Sequence, residues 1–385
     1  MRKVIIPMVI GLLAASYVLY NSITEVHFEY SISGSFQLKE GLTFEEVDHK
    51  DPANFELVEE GEGEFEQVTY RDTLNNIDWT YLTAFWLFLA CVCVAVRIFG
   101  YVLRLRILTD KTLSWRKCLD VIIIWEFASA LTPSVVGGAG FAIFFIYKEG
   151  FSAGKSTGIV MITALLDELF YVLMVPIVFL FVTAEMIFPK EWATQIFGLT
   201  LDASGVFWFG YLFILVLVAI ITFGIFISPR ALKYFLIKVF SIKWLRRWKY
   251  NIIKWGDDLI TTSKELKGKS RTFWASAFGA TFMSWTARYL VVNCLIAALV
   301  LVSDHFLIYA KQLCMWIIML ISPTPGSSGL AELVFTKFFG EEILPVHLSG
   351  PLSILWRILT YFLYLFLGVI VLPRWLRRVS KPSIS

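Results

Sequence analysis

Two stretches of this chain share one plan. Leu131–Gly150 reads LTPSVVGGAGFAIFFIYKEG, and Ile321–Gly340 reads ISPTPGSSGLAELVFTKFFG. At an offset of 190 residues Pro133 falls on Pro323 and Gly150 on Gly340, and the same offset sets Asp167 against Arg357. Both segments pair helix breakers with strongly apolar flanks. Broken backbone at membrane depth persists only where protein shields it or where it lines a wet cavity. Matching breaks in two halves of a chain point to a transport site.

The composition fits that setting. Hydrophobic residues make up 57% of the chain and charged residues 17%, with a mean hydropathy of +0.70. Apolar runs near 79–103, 156–184, 203–227, 273–302 and 349–373 are each long enough to cross a bilayer core. With Val4–Tyr20 they predict an all-α integral membrane protein of about six spanning helices. Cys91, Cys93, Cys118, Cys294 and Cys314 all lie in or beside apolar segments, which argues against a zinc or disulfide framework.

Arg2 and Lys3 precede the apolar run Val4–Tyr20, so residues 1–20 read as a transmembrane anchor, with a cleaved signal peptide as the alternative. Residues 21–78 hold 15 acidic residues against three basic ones and are expected to be exported. In this insert Val26, Phe28, Tyr30 and Ile32 alternate with polar residues, a strand pattern, and Phe65 follows a glycine-punctuated acidic turn. A small β-hairpin and a disordered acidic segment are the two readings.

Charge orders the rest. Cytoplasmic loops collect Lys and Arg. Arg104, Arg106, Lys111, Arg116 and Lys117 follow one apolar run, residues 229–271 carry 12 basic residues against three acidic ones, and a basic tail ends the chain. All three are placed inside, so both termini are cytoplasmic. A single crossing at 118–147 would put the basic loop 229–271 outside, and the stretch is too short for two crossings. A re-entrant hairpin at 118–147, broken at Pro133–Gly140, satisfies both constraints. The same argument makes 306–340 a hairpin of opposite orientation, broken at Pro323–Gly329. The domain from 79 to 378 is thus expected to be an inverted repeat, followed by a cytoplasmic tail at 379–385.

Within the basic loop, Trp244, Trp248 and Trp255 recur among Lys243, Arg246, Arg247, Lys249 and Lys254. This predicts one amphipathic helix over Ala231–Leu259 on the anionic inner leaflet rather than a nucleic-acid surface.

The breaks also carry a family resemblance. Ser322-Pro-Thr-Pro-Gly-Ser-Ser-Gly-Leu-Ala-Glu332 resembles the Pro-Gly-Gly-x-Gly-x-x-Glu signature of the lysylphosphatidylglycerol synthase transmembrane-domain family. Thr132-Pro-Ser-Val-Val-Gly-Gly-Ala-Gly140 resembles its earlier Pro…Gly-Gly element, and Leu355-Trp-Arg-Ile-Leu-Thr360 its late arginine-bearing helix. The likeness spans roughly residues 80–375. It implies a lipid flippase fold and a lipid substrate. Ser327 and Ser328 stand where the family has glycines. No soluble synthase domain follows Arg378 in this sequence, so aminoacyl transfer is not expected, and a separate enzyme would make any modified lipid.

Candidate site residues follow from charge at membrane depth. Each such charge costs about 2.5–3.5 kcal/mol at a helix centre, so lipid-facing placement is disfavoured. Arg288, Arg357, Asp167 and Glu168 lie well inside apolar runs. Arg97 is within a residue of the repeat position of Arg288, and either lines the path or snorkels to the interface. Glu126, before the first break, is a partner for one of these arginines. Glu332, just past the second break, either stabilises the helix start or meets an arginine or a cationic headgroup. Arginine suits phosphate because its planar fork donates paired hydrogen bonds. Pro133, Gly137, Gly138, Gly140, Pro323, Pro325, Gly326 and Gly329 form the breaks, where unpaired N–H groups favour anions. Asp167 and Glu168 are the candidates for any proton coupling, and Lys311 is assigned to the outer interface.

The resulting expectation is a multi-pass protein of the bacterial cytoplasmic membrane. It moves a phosphate-bearing phospholipid or polyprenyl-linked lipid between leaflets, with anionic membrane lipids as expected partners and no nucleic acid, cofactor or metal. The competing readings are a non-transporting envelope scaffold and a lipid-modifying enzyme. The latter lacks a catalytic constellation in the sequence, since His27, His49, His305 and His347 have no recognisable partner group.

Overall fold

The computed structural model describes residues 20, 26–39, 41–42, 47, 51–59, 61–69, 79–132, 135–189, 193–196, 199–239, 241, 249–320, 327, 330–340, 343–344 and 346–380. The anchor reading of 1–20 therefore lies, apart from Tyr20, outside the described residues.

The acidic insert forms β structure. Strands β1 (Val26–Gly34), β2 (Phe36–Leu38), β3 (Phe55–Leu57) and β4 (Gly63–Thr69) make one antiparallel sheet in the order β1-β4-β2-β3. Phe28 stacks on Phe55 at 4.0 Å, and Phe65 meets Phe55 edge-on at 5.4 Å. These three buried rings are the core that offsets the segment's charge repulsion.

The helical part starts with α1 (Tyr81–Leu108), α2 (Trp115–Leu131), α3 (Val135–Lys148) and α4 (Ala153–Phe181). A one-turn helix (Ala184–Ile187) and a two-stranded hairpin, β5 (Ala193–Ile196) and β6 (Leu199–Asp202), lead into α5 (Ala203–Thr222). α5 ends in a π turn, Phe223–Ile227, and is followed by α6 (Pro229–Val239) and α7 (Lys249–Lys267). Next come α8 (Arg271–Leu299), α9 (His305–Met319), α10 (Leu330–Phe339), α11 (Val346–Arg357), a π turn at Ile358–Phe362, and α12 (Leu363–Val379).

Helix starts are written in the local sequence. Thr80, Ser114, Ser152, Asp202 and Ser270 each accept a hydrogen bond from the backbone N–H three residues on, and Asp304 caps both Phe306 and Leu307. Among the described residues five helices are long and apolar enough to cross a membrane: Tyr81–Leu108, Ala153–Phe181, Ala203–Ile227, Arg271–Leu299 and Leu348–Val379.

The repeated sequence plan reappears as a repeated element order. α1 to α4 run long, short, short, long, starting at residues 81, 115, 135 and 153; α8 to α11 begin at 271, 305, 330 and 346, with α12 extending the last. Each short pair packs against itself, α2 on α3 and α9 on α10. The two leading helices, α1 and α8, make the most extensive contact between elements among the described residues. Gly100 permits it: a Cβ there would lie 2.9 Å from the Ala280 carbonyl oxygen and 2.9 Å from Ser284 Cβ. Small residues of this kind let membrane helices close on each other.

Two features differ from the sequence reading. The first break is shorter than Pro133–Gly140, because α3 already starts at Val135 and places Gly137, Gly138 and Gly140 within the helix. Gly138 is required for packing, since a Cβ there would run into the Ser129 side chain on α2. The basic loop holds two helices, α6 and α7, rather than one over Ala231–Leu259. α7 packs on α4 and α6. Thr262, Ser263 and Leu266 of α7 are buried, so burial against protein accounts for part of its amphipathic pattern, while Lys233 bonds Asp257 at 2.5 Å and Lys155 pairs with Glu265 at 3.4 Å on its exposed side. Trp244 and Trp248 lie outside the described residues.

Candidate functional site

Two apolar clusters divide the helical core. One gathers α9, α10 and the later turns of α4 and α8; the other gathers α2, α3, α12 and the later turns of α1. Between them lies a cavity of about 320 Å³ whose wall draws on both short helix pairs. Arg97, Glu126, Asp167, Glu168, Arg288 and Arg357 all line it. Glu332 joins through Arg357, its carboxylate 3.0 Å from Nε. The charges picked from the sequence are therefore one constellation.

Most of them are spoken for. Arg97, 2% exposed, donates Nη1 to the Tyr364 hydroxyl and Nη2 to Glu126 Oε2 at 3.1 Å. It is held in protein and does not snorkel. Asp167 receives both Nη groups of Arg104, the second at 3.1 Å, and the Trp285 indole N–H at 2.6 Å. Arg104 also donates to Thr281 at 3.1 Å. Breaking a buried pair of this type costs about 3–5 kcal/mol, so its primary role is to join α1, α4 and α8.

Arg104 was assigned above to a cytoplasmic basic cluster, and the structure corrects that. It is 3% exposed and sits two helical turns beyond Arg97 on the same face, with Tyr101 between them. That seven-residue spacing was the signal. Tyr101 stacks against both guanidinium groups, at 5.0 Å from Arg97 and 4.7 Å from Arg104. Lys311 is likewise 2% exposed within the protein rather than marking an interface.

Arg288 and Glu168 differ from the rest. Among the described residues Arg288 has no carboxylate or hydrogen-bond partner; its guanidinium lies 3.9 Å from the Trp316 ring centre and 5.4 Å from that of Trp285. Such contacts contribute about 2 kcal/mol when desolvated. That falls short of the several kcal/mol that burying an ion costs. Glu168, 8% exposed, has a buried Oε2 with no partner among the described residues. Sequence inspection missed the aromatic part of the site: Trp316, Trp285, Tyr101, Tyr361 and Tyr364 face the cavity, and Arg357 lies 4.0 Å over the Tyr361 ring.

Of the break residues, Pro133, Pro323, Pro325, Gly326 and Gly329 lie outside the described residues. Ser327 is described and lines the cavity with φ of 54°, the left-handed backbone that glycine adopts without strain. Among the described residues no group of three or more His, Cys, Asp or Glu side chains is placed to hold a metal ion.

Comparison with known proteins places the chain among membrane proteins. A UPF0104 membrane protein of Archaeoglobus fulgidus is 25% identical over 319 residues, covering 79% of this chain and 91% of that protein. No solved structure matches the chain significantly. The family profile described as the lysylphosphatidylglycerol synthase TM region matches residues 70–368. This multi-pass membrane chain belongs to the lysylphosphatidylglycerol synthase transmembrane-region family.

Proposed function

We propose that the protein moves a phosphate-bearing lipid between the leaflets of the cytoplasmic membrane, with the headgroup in the cavity and the acyl or prenyl tails in hydrocarbon. The observation that carries this reading is Arg288, a cation in the cavity wall with aromatic rings beside it but, among the described residues, no carboxylate or hydrogen-bond partner. A phosphate replaces the missing counter-charge and accepts hydrogen bonds from the planar guanidinium. The membrane family and the aromatic lining support it further.

In this reading α2–α3 and α9–α10 are re-entrant hairpins entering from opposite sides. Residues 21–78 are exported, and both termini and the α6–α7 segment are cytoplasmic. The two four-element repeats rock against each other about the α1–α8 contact and open the cavity to each side in turn, the behaviour typical of inverted repeats.

The test is transbilayer movement of acyl-labelled phospholipids in liposomes that contain the purified protein. Wild type is expected to move a phosphate-bearing lipid faster than protein-free liposomes. Arg288→Ala, folded by gel filtration, is expected to lose that acceleration by tenfold or more, since hydrogen bonds to charged groups are worth about 1.5–3 kcal/mol. Movement undiminished in Arg288→Ala removes the arginine from the path. No acceleration by wild type for any phospholipid or polyprenyl phosphate refutes the transport reading.

A further inference from the structure

We infer that the ion pairs centred on Asp110 are a one-sided latch: they tie the two repeats together at the end where α1 finishes, and they part before the cavity opens at that end. This rests on the alternating-access reading above, which places that end in the cytoplasm, and names the contact that regulates it.

Asp110 lies in the turn between α1 and α2, and both it and Lys111 have left-handed backbone, with φ of 53° and 59°. Asp adopts that conformation more readily than most residues. The turn is tied down by the Lys111 N–H, which donates to the Arg106 carbonyl at 2.8 Å, and by Arg106 Nη1, which donates to the Leu113 carbonyl at 2.5 Å. A fixed turn thus presents the carboxylate to two lysines. Lys269, just before α8, donates to it from the segment that leads into the second repeat. Lys155, in the first turn of α4, lies 3.9 Å away and is also 3.4 Å from Glu265 on α7. α7 belongs to neither repeat. Its Ser263 is buried and donates to the Ile225 carbonyl in the π turn after α5, so α7 is a strap anchored beside the latch.

The position of these pairs is one-sided. Among the described residues, each ion pair that joins α1–α4 to α8–α12 or to the segment leading into α8 lies at this end: Asp110 with Lys269, and Arg378 with Asp120 and Glu149. The pairs nearer the cavity, Arg97 with Glu126, Arg104 with Asp167 and Arg357 with Glu332, stay within one repeat. Leu108, Leu113, Ile159 and Leu266 are buried at the latched end and fill it. Contacts made in one conformation only shift the population toward it. Partly exposed pairs contribute little singly and are screened by salt, but several sharing one carboxylate act as a network.

The test reads access to the cavity from each side of the membrane. Asp110→Asn removes the charge and keeps a residue that tolerates the left-handed turn. Glu265→Gln releases Lys155 without touching Asp110. In a Cys91→Ser background, Ala164→Cys on the cavity wall is labelled with a membrane-impermeant maleimide in inside-out vesicles and in intact spheroplasts. Labelling in inside-out vesicles is expected to be about threefold faster in both variants, with no rise from the other side. Raising the salt concentration is expected to accelerate wild type more than Asp110→Asn. An unchanged rate in Asp110→Asn overturns the latch. Equal acceleration from both sides also overturns it, because the variant then loosens the whole protein. Lipid movement in liposomes separates this from the transport reading. Movement by wild type with unchanged labelling in Asp110→Asn leaves transport standing without the latch. Faster one-sided labelling with no lipid movement by wild type keeps the latch and refutes transport.

Discussion

Arg104 and Asp167, 63 residues apart in sequence, form a two-pronged ion pair in the helical core, and the same Asp167 oxygen that receives Arg104 Nη1 also accepts the Trp285 indole hydrogen at 2.6 Å. Three helices thus meet at one carboxylate. The next residue, Glu168, has no such partner among the described residues. Two adjacent acids that read alike in sequence consequently have different chemistry.

This contrast makes a stability prediction. Asp167→Asn leaves Arg104 buried without its counter-ion and is expected to cost about 3–5 kcal/mol. Arg104→Met combined with Asp167→Met should recover much of that loss, since apolar replacement of a buried pair is often neutral. Glu168→Gln should be near neutral. Melting temperatures in detergent compare the three, and equal destabilisation by Asp167→Asn and Glu168→Gln would contradict the assignment.

Packing of α12 on α2 depends on Gly368, where a Cβ would run into the Phe127 ring, itself buried. Gly368→Ala is expected to destabilise by about 1–3 kcal/mol through overpacking. Phe127→Leu in the same chain should relieve part of the cost, because it removes the clashing ring; a melting-temperature cycle measures this coupling.

A charged clamp ties the last helix to the first short pair. Arg378 donates to Asp120 at 2.6 Å and to Glu149, whose carboxylate also accepts from Trp375 at 2.7 Å and lies 3.7 Å from Lys117. Arg378→Ala should loosen this end of the molecule. With the exposed Cys91 changed to Ser and a cysteine placed at the cavity-lining Ala164, maleimide labelling is expected to be several-fold faster in Arg378→Ala. An unchanged rate would show that the clamp does not restrict access to the cavity.

What the sequence determined by itself is the setting and the plan. Long apolar runs and the 190-residue offset anticipate the five described helices that are long and apolar enough to cross a membrane and two short helix pairs in matching positions, because membrane burial forces every backbone polar group to be satisfied within a helix and so makes length and hydropathy decisive. Rare charges in those runs also pointed to the cavity, since an ion at that depth has to face protein. The tertiary structure alone decided which charges cancel. Arg104 looked like one more loop arginine, whereas in the fold it neutralises Asp167; Arg97 with Glu126 and Arg357 with Glu332 remained open pairings in sequence. Such partners lie tens to hundreds of residues apart, and a pair energy that varies steeply with distance in a low dielectric is set by helix register. The Tyr171–Tyr289 bond and the contact at Gly100 supply that register, and they leave Arg288 and Glu168 as the two charges without a protein partner among the described residues.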